Sequence, residues 1–144
     1  MKDIDQKVVI KRLQQLMETV AALEKQRKCS KEEFLTSLDL QWIVEHGLQL
    51  SIQQIIDLSS HLLVASGLNN VDNYTDVIEK LVKHRIIPKA LGKKIIPMIN
   101  FRNILVHEYA VVDPKKVYAI LQNDLRDFEL FARAVSRFLK KKIR

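Results

Sequence analysis

Glycine, proline and cysteine are all scarce in this chain of 144 residues, which contains three glycines, three prolines and one cysteine. So few turn-forming residues leave little room for a fold of many short strands, and we therefore expect an all-α fold. The single cysteine, Cys29, excludes an internal disulfide bond and a cysteine-rich metal site, and it fits a reducing cytosol.

Long apolar runs are also missing. No stretch reaches the about 18 apolar residues that cross a bilayer, and the first residues lack the apolar core of a signal peptide. We expect a cytoplasmic protein with no membrane contact. The hydrophobic content of 47% and the charged content of 28% are typical of a folded protein. The chain is long enough for one domain with a substantial core, so residues 1–144 are predicted to form a single domain.

Acidic residues are outnumbered, with 17 Asp and Glu against 24 Lys and Arg, which gives a net charge of +7. This balance favours contact with an anionic partner, nucleic acid above all, although an inert basic surface is an equally good interpretation. Residues 140–144 form a basic tail, which is either a solvated helix end or a weak contact with RNA or a partner.

Apolar residues recur at alternating steps of three and four along most of the chain, which predicts an up-and-down bundle of about five helices. The predicted helices begin near residues 4, 30, 73, 88 and 114. The second runs to residue 65 and, at about 1.5 Å per residue, would be roughly 50 Å long, so we expect it to form the spine. Its predicted buried stripe includes Leu38 and Trp42, with Trp42 as a core anchor.

Glu45 lies on the same predicted stripe, where a carboxylate is costly unless it is paired or hydrogen-bonded. One interpretation is an acid that pairs with a core arginine or caps a neighbouring helix. The alternative is a supporting residue that orients Arg102 or His107 in a functional site. No metal or cofactor site is predicted, because His46 and His61 have no second ligand at suitable spacing.

Residues 101–109 carry Arg102, Asn103, His107 and Tyr109 among apolar side chains. In a helix, Asn103 and His107 share one face, whereas Arg102 and His107 point about 140° away from each other. A site that uses both therefore requires that the helix end near His107, or that a second copy of the chain complete the site.

Arginine and histidine together suit phosphodiester chemistry. An arginine offers a permanent cation with a planar donor fork that fits a phosphate, and a neutral histidine can accept a proton and return it. RNA is cut without a metal when a base removes the 2′-hydroxyl proton and the oxygen attacks the adjacent phosphorus, which leaves a 2′,3′-cyclic phosphate. From the residue types alone this signal is weak, because an arginine and a histidine near a helix end more often form a salt bridge and a helix cap.

The spacing Arg102-x4-His107-x-Tyr109, near the end of the fourth helix of a small all-α chain, resembles the signature of the HepT toxins in the HEPN superfamily. The likeness extends beyond this motif to the segments 34–45, 97–109 and 112–118. It therefore covers nearly the whole chain.

The resemblance implies a homodimer whose two motifs face a shared cleft. It implies the toxin of a type VII toxin–antitoxin system, a metal-independent endoribonuclease without a cofactor. By position, Arg102 would stabilise the scissile phosphate, His107 would be the general base or acid, and Asn103 would orient the site. Tyr109 corresponds to the tyrosine that an MntA-type nucleotidyltransferase antitoxin modifies with AMP, and toxin and antitoxin could form a larger complex.

Two alternatives remain open from the sequence. The chain could be a non-catalytic HEPN module that binds a nucleotidyltransferase or helps to hold its nucleotide. It could also be a plain helical dimer in which Arg102 and Glu45 form a buried pair.

Overall fold

The computed structural model describes residues 5–68, 71–107 and 112–143, and within these ranges it is all-α, as predicted. Seven helices occur there: α1 (Gln6–Gln26), α2 (Lys31–Thr36), α3 (Leu38–Ala65), α4 (Tyr74–Lys83), α5 (Lys89–His107), α6 (Pro114–Asn123) and α7 (Leu125–Ile143). None of these helices is long and apolar enough to cross a lipid bilayer.

The helix count exceeds the predicted five because two of the predicted helices are each interrupted at one residue. Ser37 separates α2 from α3 with extended backbone angles, φ −115° and ψ 106°, and its hydroxyl accepts a hydrogen bond from the Leu40 N–H at 3.2 Å. Asp124 separates α6 from α7. An interruption of one residue leaves the apolar spacing close to three or four, so periodicity alone does not reveal it.

Local capping explains why the predicted helix starts are correct. The Ser30 hydroxyl accepts from the Glu33 N–H at 3.1 Å, and the Glu33 carboxylate accepts from the Ser30 N–H at 3.2 Å, which is the predicted capping box. Asn73 caps α4, and Asp113 caps α6 with Pro114 as the first helical residue. Each cap satisfies amide groups that have no partner inside the helix.

Helix α3 is the spine of the bundle, as predicted, since it contacts each of the other six helices. Helix α1 packs against α3 and α7, while α4 packs against α3 and α5. The fully buried side chains of α3 that form the centre of the core include Val44, Leu48, Ile52, Ile55, Leu58 and Leu62.

The prediction that Trp42 is a core anchor is wrong. Its side chain is 60% exposed, and Leu38, on the same predicted stripe, is 57% exposed. The predicted stripe continues without interruption from Phe34, whereas in the structure the extended backbone at Ser37 starts a new helix with a new register. Val44 is fully buried, so the buried face of α3 begins there.

Candidate active site

Arg102 lies near the carboxyl end of α5, at the junction of α5 with α3 and α4. The neighbouring Phe101 and Ile99 are buried, and their packing fixes the register of the helix. Pro97 lies inside α5, as predicted, one turn before Arg102. Since proline has no N–H, the carbonyl of Lys93 loses its partner within the helix.

Three neutral groups hold the guanidinium of Arg102. Its Nη1 donates a hydrogen bond to the Asn103 Oδ1 at 3.2 Å, and its Nη2 donates one to the Oε1 of Gln53 on α3. The ring of Tyr74, the first residue of α4, lies under the guanidinium, with 5.5 Å between Cζ and the ring centroid. The Nε atom is buried and has no hydrogen-bond partner among the described residues.

The charge of Arg102 is therefore not neutralised by a carboxylate anywhere in the part of the chain that the structure describes. An arginine remains protonated in any protein environment. Because Arg102 is half-buried, an anion that approached it would interact more strongly than it would in open water. The arrangement fixes the direction of a cation and leaves its charge available.

Gln53 is itself held from the other side. Its Nε2 donates a hydrogen bond to the Asp57 Oδ1 at 2.9 Å, one turn along α3. Because the amide nitrogen is used in this way, the amide oxygen faces Arg102. The Oδ2 atom of Asp57 lies 3.7 Å from the Nη1 of Arg12 on α1, so the Asp57 charge has its own partner. A row of contacts thus connects α1, α3 and α5.

Sequence reasoning missed Gln53, Asp57 and Tyr74. The only available signal was that Gln53 and Asp57 are polar residues four apart on α3, which predicts a contact between them and nothing about Arg102. Gln53 and Arg102 are separated by 49 residues. Their contact depends on how α3 and α5 cross, which the helical spacing does not encode.

Glu45 is half-buried on α3, about 12 Å before Gln53 along the helix axis. Burial raises the pKa of its carboxyl group above the ordinary value. It forms no hydrogen bond or ion pair within the described ranges. The pair of Arg102 and Glu45, one of the alternatives that the sequence left open, is therefore not formed, and Arg102 contacts Gln53 instead.

His107 is the last residue of α5, so positions 102 and 107 lie on one continuous helix, about 140° apart around its axis. A site that uses both residues must therefore include side chains from two different faces of α5. The side chain of His107 and the whole of Tyr109 lie outside the described part of the structure. Among the described residues, no three His, Cys, Asp or Glu side chains come together as a metal site would require.

Comparison with known proteins decides the family. The family profile described as ribonuclease HepT-like matches residues 9–135. The chain belongs to this family. A tRNA nuclease HepT from Aphanizomenon flos-aquae (strain 2012/KM1/D3) is 32% identical over 141 residues, which cover 96% of this chain and 95% of that protein. An mRNA nuclease HepT from Shewanella oneidensis is 28% identical over 99 residues, covering 69% of this chain and 74% of the relative.

Solved structures share the fold. A tri-AMPylated HEPN toxin of Shewanella oneidensis, in complex with an MNT antitoxin, superposes with a TM-score of 0.82 and 23% identity, covering 95% of this chain and 99% of that one. The cytosolic protein YutE of Bacillus subtilis, of unknown function, superposes with a TM-score of 0.85 and 17% identity, covering 99% and 95% of the two chains. The chain therefore has the HEPN fold, which the resemblance implied.

Proposed function

We propose that this chain is a ribonuclease and the toxin of a toxin–antitoxin pair, and that it cuts RNA at a site built around Arg102 and His107. The observation that carries the proposal is the guanidinium of Arg102, which amide oxygens and an aromatic ring fix in place without neutralising its charge. Membership of the HepT-like family supports the ribonuclease activity, and the net charge of +7 suits an RNA substrate.

The proposed reaction needs no metal. His107 removes the 2′-hydroxyl proton, and the oxygen attacks the adjacent phosphorus while the bond from phosphorus to the 5′-oxygen breaks. The leaving oxygen takes up a proton, so the products are a 2′,3′-cyclic phosphate and a 5′-hydroxyl end. Arg102 stabilises the negative charge that develops on the phosphoryl oxygens. Asn103 supports the reaction by holding the Nη1 of Arg102.

The proposal includes a homodimer with a shared cleft. Large apolar side chains remain exposed on α3, with exposed fractions of 57% for Leu38, 60% for Trp42, 55% for Ile43 and 41% for Leu50. An exposed apolar patch of this kind is typical of a protein interface. Trp42 and Gln53 are eleven residues apart and so lie within about 20° of each other around α3. A second copy that covered Trp42 would therefore close over the side of α3 that holds Arg102.

Glu45 is included as a supporting residue. Its carboxylate is half-buried and unpartnered among the described residues, although it lies on the same helix as Gln53. A desolvated carboxylate without a partner lowers the stability of the chain, and such groups are typical of functional sites. We propose that it orients His107, from the same chain or from the second copy.

The proposal also includes a switch at Tyr109. The similar HEPN toxin of Shewanella oneidensis is tri-AMPylated in its complex with an MNT antitoxin. If a nucleotidyltransferase antitoxin attached AMP to Tyr109, the added phosphate would offer Arg102 an anion and repel the RNA backbone. Mass spectrometry after coexpression with the nucleotidyltransferase should find the added mass on the peptide that contains Tyr109, and consistent modification at another residue would refute this assignment.

The activity is tested with the purified, unmodified protein. It should cut RNA in excess EDTA and leave 2′,3′-cyclic phosphate ends, and His107→Ala should abolish cutting without dissociating the dimer. If the unmodified protein cuts no RNA but binds a nucleotidyltransferase, the chain is a non-catalytic HEPN module.

A further inference from the structure

A second basic site lies at the other end of α5. An open cavity of about 410 Å³ lies between the end of α4, the link to α5 and the face of α7. Four cationic side chains line it, Arg85, Lys89, Arg137 and Lys141, and the remaining lining is apolar, with Pro88 and Phe138 among its residues. Within the part of the chain that the structure describes, no acidic residue contributes to this lining.

The four cations also lack counter-charges. Among the described residues, none of them forms an ion pair, whereas Arg12, Arg27, Lys80 and Lys94 each have an acidic partner. Like charges that converge without an acid repel one another and create a local positive potential. The positive potential of the cavity therefore favours an anionic ligand, since no acidic side chain of the described residues neutralises it.

The backbone at Arg85 gives an independent indication. Arg85 has φ 59°, and among the described residues it is the only residue other than glycine with a positive φ. It follows α4, where its N–H donates to the Val82 carbonyl at 3.0 Å and the next N–H, of Ile86, donates to the Leu81 carbonyl at 2.8 Å. Glycine is the usual residue at this position, because a side chain is strained there. An arginine at this position keeps a strained backbone conformation, and strain of this kind often marks a functional position.

We propose that this cavity binds the sugar-phosphate backbone of the RNA at a distance from the cleavage site. The cations would contact phosphate oxygens, and the apolar wall would pack against a ribose or a base. This inference rests on the proposed ribonuclease function. Lys89 and Arg102 are thirteen residues apart on α5, about 20 Å along the axis. At about 3.4 Å per nucleotide, a stacked RNA strand needs roughly six nucleotides to reach both places.

The test compares two variants that each lose two positive charges. Lys89→Gln with Arg137→Gln alters the cavity, and Lys11→Gln with Arg126→Gln alters exposed cations elsewhere on α1 and α7. RNA affinity is measured in a His107→Ala background with a 20-nucleotide single-stranded RNA at several salt concentrations. Loss of two phosphate contacts should lower the slope of log affinity against log salt by about 1.4, and the affinity by about 10- to 25-fold at 0.1–0.2 M salt. The control pair should change affinity less than threefold.

The variant Arg85→Gly distinguishes an effect on RNA binding from an effect on the stability of the fold. Glycine removes the cation and relieves the left-handed strain, so the melting temperature should stay the same or rise while RNA affinity falls. With His107 intact, the cavity variants should cut the 20-nucleotide RNA less efficiently than the parent and a trinucleotide equally well.

The outcomes distinguish the cavity from the cleavage site. If the parent cuts RNA and the cavity pair matches the control pair in affinity, the cavity is not an RNA site. If the cavity pair loses RNA affinity although the parent cuts no RNA, the binding site stands and the ribonuclease proposal fails. If the cavity pair loses affinity only for a coexpressed nucleotidyltransferase, the surface binds protein and the inference is wrong.

Discussion

The Nη2 group of Arg102 on α5 donates a hydrogen bond to the amide oxygen of Gln53, 49 residues earlier on α3. A carboxylate in the place of this amide would anchor the arginine more strongly, but it would also neutralise the charge that a phosphate needs. Gln53 orients the guanidinium of Arg102 without neutralising its charge. The hydrogen bond from the Gln53 Nε2 to Asp57 fixes which end of the amide faces the arginine.

Gln53 variants test this relationship. Gln53→Ala should lower kcat for RNA cleavage by about 10- to 100-fold, because a small displacement of a positioned group is costly in rate. Gln53→Glu restores an anchor but neutralises Arg102, so it should raise KM for RNA as well as lower kcat. The control is Gln15→Ala on the exposed face of α1. A Gln53→Glu protein as active as the parent would show that the neutrality of the anchor does not matter.

Asp57 acts only through Gln53 in this account. Asp57→Ala should lower kcat severalfold in the parent and have little further effect in a Gln53→Ala background, since residues in one network are not additive. The double-mutant cycle measures this coupling. Equal losses in both backgrounds would mean that Asp57 affects the site by another route, such as its ion pair with Arg12.

Glu45 should make stability depend on pH. Burial raises the pKa of its carboxyl group in the folded chain above the value of about 4.3 that a glutamate has in an unfolded chain. The folded state therefore binds this proton more tightly than the unfolded state does. Proton binding by Glu45 therefore stabilises the folded state. This stabilisation is fully present below about pH 4.3 and is lost as pH rises through the raised pKa of the folded chain.

The variant Glu45→Gln removes that titration. It should match the stability of the parent near pH 3.5 and exceed it at pH 7, as measured by urea unfolding at the two pH values. A less stable variant at pH 7 would show that a cation already holds the Glu45 carboxylate in the folded protein.

The exposed side chain of Trp42 predicts an effect on association. Trp42→Ser should shift the protein from dimer to monomer in sedimentation experiments while the chain stays folded, because the side chain is 60% exposed. Ile10→Ser, at an exposed apolar position on α1, is the control and should remain dimeric. A buried tryptophan would behave differently, since its truncation costs about 3–5 kcal/mol. A dimeric Trp42→Ser protein would exclude this face as the interface.

Much of the fold could be predicted from the sequence because it is encoded locally. Ser30 with Glu33, Asn73, and Asp113 with Pro114 each satisfy amides within one turn, so the helix starts could be read from neighbouring residues. The interruptions at Ser37 and Asp124 could not, and the missed interruption at Ser37 led to the wrong placement of Trp42.

The same distinction between local and tertiary information applies to the site. Arg102 and Asn103 are adjacent in sequence, and the motif that contains them indicated a site. Gln53 and Tyr74 come from two other helices, so their contacts with Arg102 depend on tertiary packing. The sequence indicates Glu45 because a carboxylate on an apolar stripe needs a partner, whereas Gln53 is a neutral residue off that stripe and gives no such signal.

The central claim is that the charge of Arg102 serves catalysis and contributes little to the fold. The most direct measurement is the RNA cleavage rate of Arg102→Ala, with its melting temperature recorded on the same preparation. We predict a loss of about 10²- to 10³-fold in kcat, the usual effect of removing one group that stabilises transition-state charge, with little change in melting temperature. Cleavage at the rate of the parent protein, or a loss that merely follows unfolding, would contradict the account.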